Sequence, residues 1–263
     1  MRVDVAFTPA GLSHPAVQRR TVFVIDILRA TTTMCAAMSN GAKAIIPVSS
    51  TEEALRLAQT IGSNDVLLSG EAKCVRISGF HLGNSPLEMK EEVIRGKTLI
   101  LTTSNGTKAL LACQGAGSIF PAAAANLSSA AERGREALEA DQPVLIVCAG
   151  RNGAFALDDA YCAGRLAAAL LGGTKPRRGL NDAALASIAL VRRYGDDWER
   201  PLRSSRSGRE LLRLGFADDI RDASRLDAYP VSMQFHERRV TLLPGPFAGI
   251  RASSEHRDGV GHA

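Results

Sequence analysis

Short apolar runs alternate with segments of helical periodicity over the first two thirds of the chain. The runs typical of strands cover residues 3–7, 21–26, 44–48, 65–68, 98–102, 118–121 and 144–148. The intervening segments predict helices over residues 31–40, 50–61, 87–95, 106–114, 126–140 and 156–171. Since strands that alternate with helices form a sheet covered by helices, residues 1–171 are predicted to be an α/β core: a layered sheet, mostly parallel or mixed, with helices on both faces.

The pattern changes after Gly172 and Gly173. Residues 172–250 are Arg-rich and mostly helical in pattern, and two late apolar runs at 231–235 and 238–243 could form an antiparallel hairpin. A chain of 263 residues is close to the upper size of one undivided α/β domain. We therefore expect residues 172–250 to complete the same domain, and the polar residues 251–263 to form a flexible tail.

Three of the apolar runs end in small polar residues just where a helix should begin, in segments 21–33, 98–107 and 144–159. The carboxyl ends of strands in an open α/β sheet share one edge, so these endings are expected to converge on a single crevice. Free N–H groups, hydroxyls, one arginine and several carboxylates would meet there. Such groups suit a phosphate held beside a divalent cation.

Asp26 and Arg29 are the predicted catalytic residues. Asp26 ends an almost wholly apolar run, where a carboxylate must be solvated, paired or bound to a metal. It could simply pair with Arg29 at the end of the strand. The run Thr31, Thr32 and Thr33 favours a ligand site instead, because consecutive threonines are poor in a helix interior and well suited to a phosphate-facing helix start.

Other candidate phosphate or substrate contacts follow two further strands. Asn105 and Gly106 predict a tight turn where the backbone can approach an anion, and Thr107 adds a hydroxyl. A plain turn with an N-cap explains this segment equally well. Asn84 and Ser85 end the long segment 70–86, whose last residues also have an ordinary helix-start pattern.

The predicted cation ligands are Asp26, Glu71 and Asp159. Glu71 follows the strand at 65–68. Asp158 and Asp159 fall in the first turn of a helix, where the helix dipole favours carboxylates whatever the function. Adjacent helical residues point about 100° apart, so at most one is expected to face the crevice, and we expect Asp159.

Composition excludes several other classes of function. The net charge is +5, but the C-terminal arginines alternate with acids at helical spacing and aromatic residues make up only 5%, so no nucleic-acid partner is expected. Five cysteines without a CxxC pair, and no N-terminal signal sequence, indicate a reducing cytoplasm and no zinc site. No apolar stretch predicts a membrane span. Motifs for ATP, NAD or a hydrolase triad are absent.

Several short segments, in order over nearly the whole chain, match one known family. They are residues 26–33 (DILRATTT), 40–43 (NGAK), 82–86 (LGNSP), 102–107 (TTSNGT), 148–150 (CAG), 158–164 and 208–216. In these segments the sequence resembles the 2-phosphosulfolactate phosphatases of the coenzyme M pathway. The resemblance implies an α/β fold of that family's own kind and Mg²⁺-dependent hydrolysis of 2-phosphosulfolactate to sulfolactate and phosphate.

Carried over residue by residue, the resemblance implies that the same candidates line the active crevice. They are Asp26, Arg29, Thr31, Thr32, Thr33, Asn84, Ser85, Asn105, Gly106 and Thr107. It also implies a small phosphorylated acid as the partner, while a homo-oligomer remains open. A phosphatase for another small phosphorylated carboxylic acid, and a non-catalytic protein that binds such a metabolite, are the alternatives.

The chain also departs from the family pattern. Where that pattern has an Arg and two glycines after Gly-Glu, this chain has Ala72, Lys73 and Cys74, and it has Asp158-Asp159 where Glu-Asp is common. A lysine can replace the charge of an arginine but not its bidentate grip. We therefore predict that the altered loop changes substrate preference or efficiency without abolishing phosphate chemistry.

Overall fold

The computed structural model describes residues 2–62, 64–172 and 179–243, so the predicted tail at 251–263 lies outside the described residues. The strands are β1 (Val3–Ala6), β2 (Thr21–Ile25), β3 (Ala44–Val48), β4 (Val66–Ala72), β5 (Val75–Arg76), β6 (Thr98–Thr102), β7 (Ser118–Ala122), β8 (Val144–Cys148), β9 (Met233–His236) and β10 (Arg239–Leu242). Each strand predicted within residues 1–171 is present.

The helices are α1 (His14–Val17), α2 (Ala30–Ser39), α3 (Thr51–Ile61), α4 (Glu91–Ile94), α5 (Gly106–Ala112), α6 (Leu127–Glu139), α7 (Leu157–Leu171), α8 (Asp182–Tyr194), α9 (Glu199–Ser204), α10 (Arg206–Arg213) and α11 (Ala217–Ala223). The single helix predicted at 87–95 is wrong. A 3₁₀ turn at Pro86–Glu88 and the short α4 replace it, because Lys90 has extended backbone angles between them.

The strands form two sheets, which confirms the α/β class with mixed pairing. One sheet is parallel, in the order β1-β8-β2-β7. The other has the order β5-β4-β6-β3-β10-β9, in which β4, β6 and β3 are parallel and the outer strands antiparallel. The expectation that all three polar strand endings share one sheet edge is wrong, since β2 and β8 lie in the first sheet and β6 in the second.

Alternating side chains on the strands explain how the two sheets are layered. In β2, Val22 and Val24 face a core between the sheets, which also contains the apolar residues of α2 and α5. Phe23 and Ile25 point the opposite way, into a core shared with α6 and α7. The outer face of the second sheet packs against Ala54 of α3. The first sheet therefore has helices on both faces, as predicted.

The C-terminal elements pack on this core. Helix α8 lies against α7 and β1, and the Asn181 side chain both donates to and accepts from the backbone of Val5. The predicted late hairpin is confirmed: β9 and β10 pair antiparallel, and Val240 of β10 pairs with Ile45 of β3. The predicted division into a core at 1–171 and a completing part at 172–250 stays a prediction.

Residues 70–76 form a tight hairpin where a loop was predicted. Strand β4 runs on to Ala72, and β5 begins at Val75, so Lys73 and Cys74 alone make the turn. Their φ angles are +53° and +67°, as a type I′ turn requires at both central positions. Such turns favour Asn and Gly, so the Lys-Cys pair concealed the turn in the sequence. The two glycines of the family pattern match these two positions.

Among the helices of the described residues, none is both long enough and apolar enough to cross a membrane.

Candidate active site

A cavity of about 260 Å³ lies where strands from both sheets end. Its walls come from the ends of β2, β6 and β8, from the β4–β5 hairpin and from α10. The lining residues are Asp26, Leu28, Arg29, Glu71, Lys73, Cys74, Asn84, Ser104, Asn105, Gly150, Arg151, Asn152, Asp158, Asp159, Ser207 and Glu210. The polar strand endings therefore do converge, across the gap between two sheets rather than along one edge.

Asp26 is almost buried, with 7% of its surface exposed, and lines the cavity. Its Oδ1 accepts a hydrogen bond of 3.2 Å from the Ala30 N–H at the start of α2. Its Oδ2 lies against Gly106, where an added Cβ would be 2.6 Å away, so this position needs glycine. Burial is the main cause that raises the pKa of Asp26 from 3.8 to about 7, and the charges of Asp158 and Glu71 add to it.

Arg29 forms its ion pair with Asp219 and not with Asp26, so the strand-end pair considered from sequence is absent. Nη1 of Arg29 donates to Asp219 Oδ2 at 2.6 Å, and Nη2 donates to the Cys74 carbonyl at 2.7 Å. The guanidinium also lies over the Phe216 ring, 4.6 Å from its centroid. Arg29 thus connects the start of α2, the hairpin turn and α11 while it lines the cavity.

The threonine hydroxyls do not reach the cavity. Thr31 Oγ1 donates to the Asp26 carbonyl, Thr32 Oγ1 to that of Ile27 and Thr33 Oγ1 to that of Asn84. All three residues are buried, and Thr107 likewise donates to the carbonyl of the residue four positions earlier. Threonine hydroxyls often bond to a nearby backbone carbonyl in this way. These side chains are therefore not part of the cavity lining, and the phosphate contact predicted for them stays a prediction.

The predicted turn residues divide into two groups. Asn84 and Asn105 line the cavity; Asn84 Oδ1 is buried without a hydrogen-bond partner, and Asn105 Oδ1 accepts from the Asn152 N–H at 3.0 Å. Ser85 is buried outside the cavity lining, and its Oγ donates a hydrogen bond of 2.7 Å to Asp219. Gly106 leaves room for the Asp26 carboxylate, because its lack of a side chain avoids a clash with Asp26 Oδ2.

Two of the cavity carboxylates tie loops together through backbone amides. Glu71 accepts hydrogen bonds from the N–H groups of Ser104 and Cys74, at 2.8 and 2.7 Å. Asp159 accepts from Ile27 and Gly150, both at 3.0 Å, and thereby joins the ends of β2 and β8. Each of their four oxygens already has one partner. Their role as metal ligands stays a prediction.

Asp158 and Asp159 both line the cavity, so Asp159 faces it as expected, while the expectation that at most one of the pair would do so is wrong. Asp158 is 2% exposed, lines the cavity, and its Oδ1 has no hydrogen-bond partner. Burial is the main cause that raises its pKa from 3.8 to about 6, and the Ser207 hydroxyl opposes the shift. The pKa of Asp159 is raised well above 3.8 by burial and by the charges of Asp158 and Asp26.

Sequence reasoning missed the residues that approach from the C-terminal part. Ser207 and Glu210 belong to α10, and Asp219, the partner of Arg29, to α11. Nothing in the sequence says that these short helices reach the cavity, because their polar residues also fit a solvated amphipathic face. Arg151 lies in the polar segment 144–159 that the sequence pointed to, but only one arginine was expected in the crevice, and Arg29 was chosen for it.

The cavity contains the oxygen ligands that Mg²⁺ prefers, although they do not form a complete preformed metal site. Over residues 2–62, 64–172 and 179–243, no group of three or more His, Cys, Asp or Glu side chains is placed so that it could hold a metal ion. Mg²⁺ is usually bound by one or two carboxylates together with waters and substrate phosphate. Asp158 and Asn84 each have an oxygen without a hydrogen-bond partner, and Asp26 lines the same cavity. These groups are suited to this mode of Mg²⁺ binding.

The buried carboxylates predict that the metal-free protein loses stability as the pH rises. The folded state holds protons on Asp26 and Asp158 more tightly than the unfolded chain does, with pKa values of about 7 and about 6. The free energy of unfolding should therefore fall between pH 5 and pH 7.5. In excess chelator, we expect Tm to fall by several degrees over this range, at roughly 2–4 °C per kcal/mol.

Asp158→Asn should flatten this pH dependence, whereas Asp222→Asn, a buried aspartate outside the cavity, should not. Mg²⁺ should raise Tm more at pH 7.5 than at pH 5, because it competes with the bound protons. A Tm that stays level or rises with pH in chelator would contradict the raised pKa values of Asp26 and Asp158.

Comparison with known proteins identifies the family. The profile of the family described as 2-phosphosulpholactate phosphatase matches residues 6–238. The chain belongs to this family. A relative named "Probable 2-phosphosulfolactate phosphatase", from Symbiobacterium thermophilum, is 39% identical over 224 residues, which is 85% of this chain and 94% of that protein.

Two further relatives have the same name and similar coverage. The one from Thermotoga maritima is 37% identical over 227 residues, 86% of this chain and 92% of that protein. The one from Clostridium novyi is 32% identical over 245 residues, 92% of this chain and 100% of that protein. The match to the 2-phosphosulfolactate phosphatase family therefore covers the strand ends, the hairpin and the α10–α11 segment that form the cavity.

Proposed function

We propose that this protein is a Mg²⁺-dependent phosphatase that hydrolyses 2-phosphosulfolactate to sulfolactate and phosphate. One observation carries the proposal: a small cavity in which the unpartnered oxygens of Asp158 and Asn84 lie with Asp26 and cationic side chains. Its volume, about 260 Å³, suits a three-carbon acid rather than a nucleotide. Family membership gives the reaction that such a cavity would serve.

In this proposal Asp158 and Asn84, with Asp26, hold the metal ion. Bound Mg²⁺ would offset charge on the phosphoryl oxygens. In one route Asp26 attacks phosphorus, the bond between phosphorus and the ester oxygen breaks, the leaving oxygen takes a proton from water, and a second water hydrolyses the aspartyl phosphate to release phosphate. In the other route Asp26 takes a proton from the attacking water as the same bond breaks, and passes a proton to the leaving oxygen. A carboxyl with a pKa of about 7 can exchange that proton near neutral pH.

Arg29 contributes fixed positive charge at the cavity wall. Because Asp219 and the Cys74 carbonyl hold its guanidinium in one orientation, it would need no reorganisation as charge develops on the substrate. The coenzyme M pathway is the setting that the family resemblance implies. A reducing cytoplasm fits the five free cysteines.

Phosphate release from racemic 2-phosphosulfolactate, with Mg²⁺ and with excess chelator, tests the proposal. We expect release with Mg²⁺ and at least about a hundredfold less without it, as for other charge partners of a transition state. Phospholactate, a carboxylate analogue, tests the alternative substrate class. No release from either ester, together with binding of both, would favour the non-catalytic alternative.

A further inference from the structure

Arg151 is a cation of the cavity that forms no ion pair with any described residue. It lines the cavity in the loop that follows β8, and its Nε is buried without a hydrogen-bond partner. The other arginine of the lining, Arg29, already has an ion-pair partner in Asp219 at 2.6 Å. An arginine that is half-buried and unneutralised is poorly solvated. An anionic ligand would supply the missing partner.

The backbone holds Arg151 in place before any ligand arrives. Its N–H donates to the Ala154 carbonyl at 2.9 Å, and the Ala154 N–H returns a bond of 3.0 Å. The next residue, Asn152, donates its N–H to the Oδ1 of Asn105, in the turn between β6 and α5. The loop is therefore tied both to itself and to the second sheet. This preorganisation reduces the entropy that binding would otherwise cost.

The side chain of Arg151 approaches two other parts of the cavity wall. The charge of Arg151 opposes the rise in pKa that burial causes at the Cys74 thiol, and it adds to the lowering of the Glu210 pKa that Arg213 mainly causes. Arg151 thus lies between the hairpin turn and α10. Lys73 on the same hairpin turn adds a second cation to the lining.

We propose that Arg151, assisted by Lys73, binds the acid group of the substrate, its sulfonate or carboxylate, while the metal side of the cavity binds the phosphoryl group. The proposal rests on the phosphatase function and adds the residues that set substrate class. A planar guanidinium can grip two oxygens of either acid group, whereas the ammonium of Lys73 acts as a point charge.

The hairpin geometry changes which substitutions in the altered loop are informative. Ala72 is exposed and outside the cavity lining, and period-two alternation places its side chain opposite that of Glu71. An arginine restored at position 72 would therefore not reach the acid group in this geometry. Lys73→Gly removes the cation while it relieves a backbone of positive φ, so this variant should fold at least as well as the parent.

The test compares esters with and without an acid group. kcat/KM is measured in saturating Mg²⁺ for 2-phosphosulfolactate, phospholactate and an acid-free ester, p-nitrophenyl phosphate. For Arg151→Gln we expect kcat/KM to fall on the order of 10- to 100-fold for the two acids and less than about threefold for the acid-free ester. Lys73→Gly should also lower kcat/KM for the two acids, by a smaller factor. Arg192→Gln, an equal loss of charge on exposed α8, is the matched control.

Binding of the acid alone separates this inference from the proposed function. Titration of sulfolactate in chelator should show binding to the parent protein, and Arg151→Gln should weaken it at least tenfold, even if no ester is hydrolysed. An equal fall for all three esters would place Arg151 on the phosphoryl group and overturn the inference. So would unchanged selectivity, or parent protein that does not bind sulfolactate.

Discussion

Asp26→Asn should lower kcat by at least about a hundredfold without unfolding the protein. The change removes the negative charge at the position where attack or proton transfer takes place, and loss of one such group commonly costs that much. The asparagine Oδ1 can still accept the hydrogen bond from Ala30, and the volume beside Gly106 is unchanged. Measured as phosphate release with saturating Mg²⁺, the loss should appear in kcat rather than KM.

The stability of this variant separates a functional from a structural role. The carboxylate of Asp26 is buried and repelled by Asp158 and Glu71, so a neutral amide should leave Tm unchanged or raise it at pH 7.5 in chelator. Asp222→Asn, which loses a carboxylate bonded to Tyr229, should instead keep activity and lose some stability. Near-normal turnover in Asp26→Asn would refute the role given to Asp26.

The strands and helices were predictable because their signals are local. The apolar run of β2 and the Ser50 cap of α3, whose side chain accepts from the Glu53 N–H at 3.2 Å, depend on a few adjacent residues. Which strands pair is a non-local property. The same period-two pattern fits one sheet or two, so sequence alone could not place β6 in a different sheet from β2.

The site shows the same division between local and non-local information. Asp26 could be selected from sequence because an acid at the end of an apolar strand is conspicuous. The roles of Arg29 and Arg151 could not be told apart, because both follow strand endings and only the fold brings Asp219 to Arg29. The threonines after Arg29 lie in helix α2 with their hydroxyls bonded to backbone carbonyls, an arrangement that residue type alone does not reveal.

Arg29→Lys and Asp219→Ala should both strongly reduce phosphate release, because each disrupts the ion pair between Arg29 and Asp219. A lysine loses the planar fork that spans Asp219 and the Cys74 carbonyl, and it loses the stacking on Phe216. Asp219→Ala leaves the buried Arg29 charge uncompensated, which commonly costs about 3–5 kcal/mol. Denaturant unfolding should show this loss. Arg20→Lys, at the half-buried pair with Asp4, is the matched control and should cost much less.

The double variant Arg29→Met with Asp219→Met decides whether Arg29 does more than hold the fold together. Replacing both members of a buried ion pair by apolar residues is often nearly neutral for stability, so the double variant should recover most of what Asp219→Ala loses. Phosphate release should nevertheless stay low, because Arg29 lines the cavity and supplies charge to the phosphoryl group. A double variant that regains both stability and near-normal kcat would show that Arg29 is only the structural partner of Asp219.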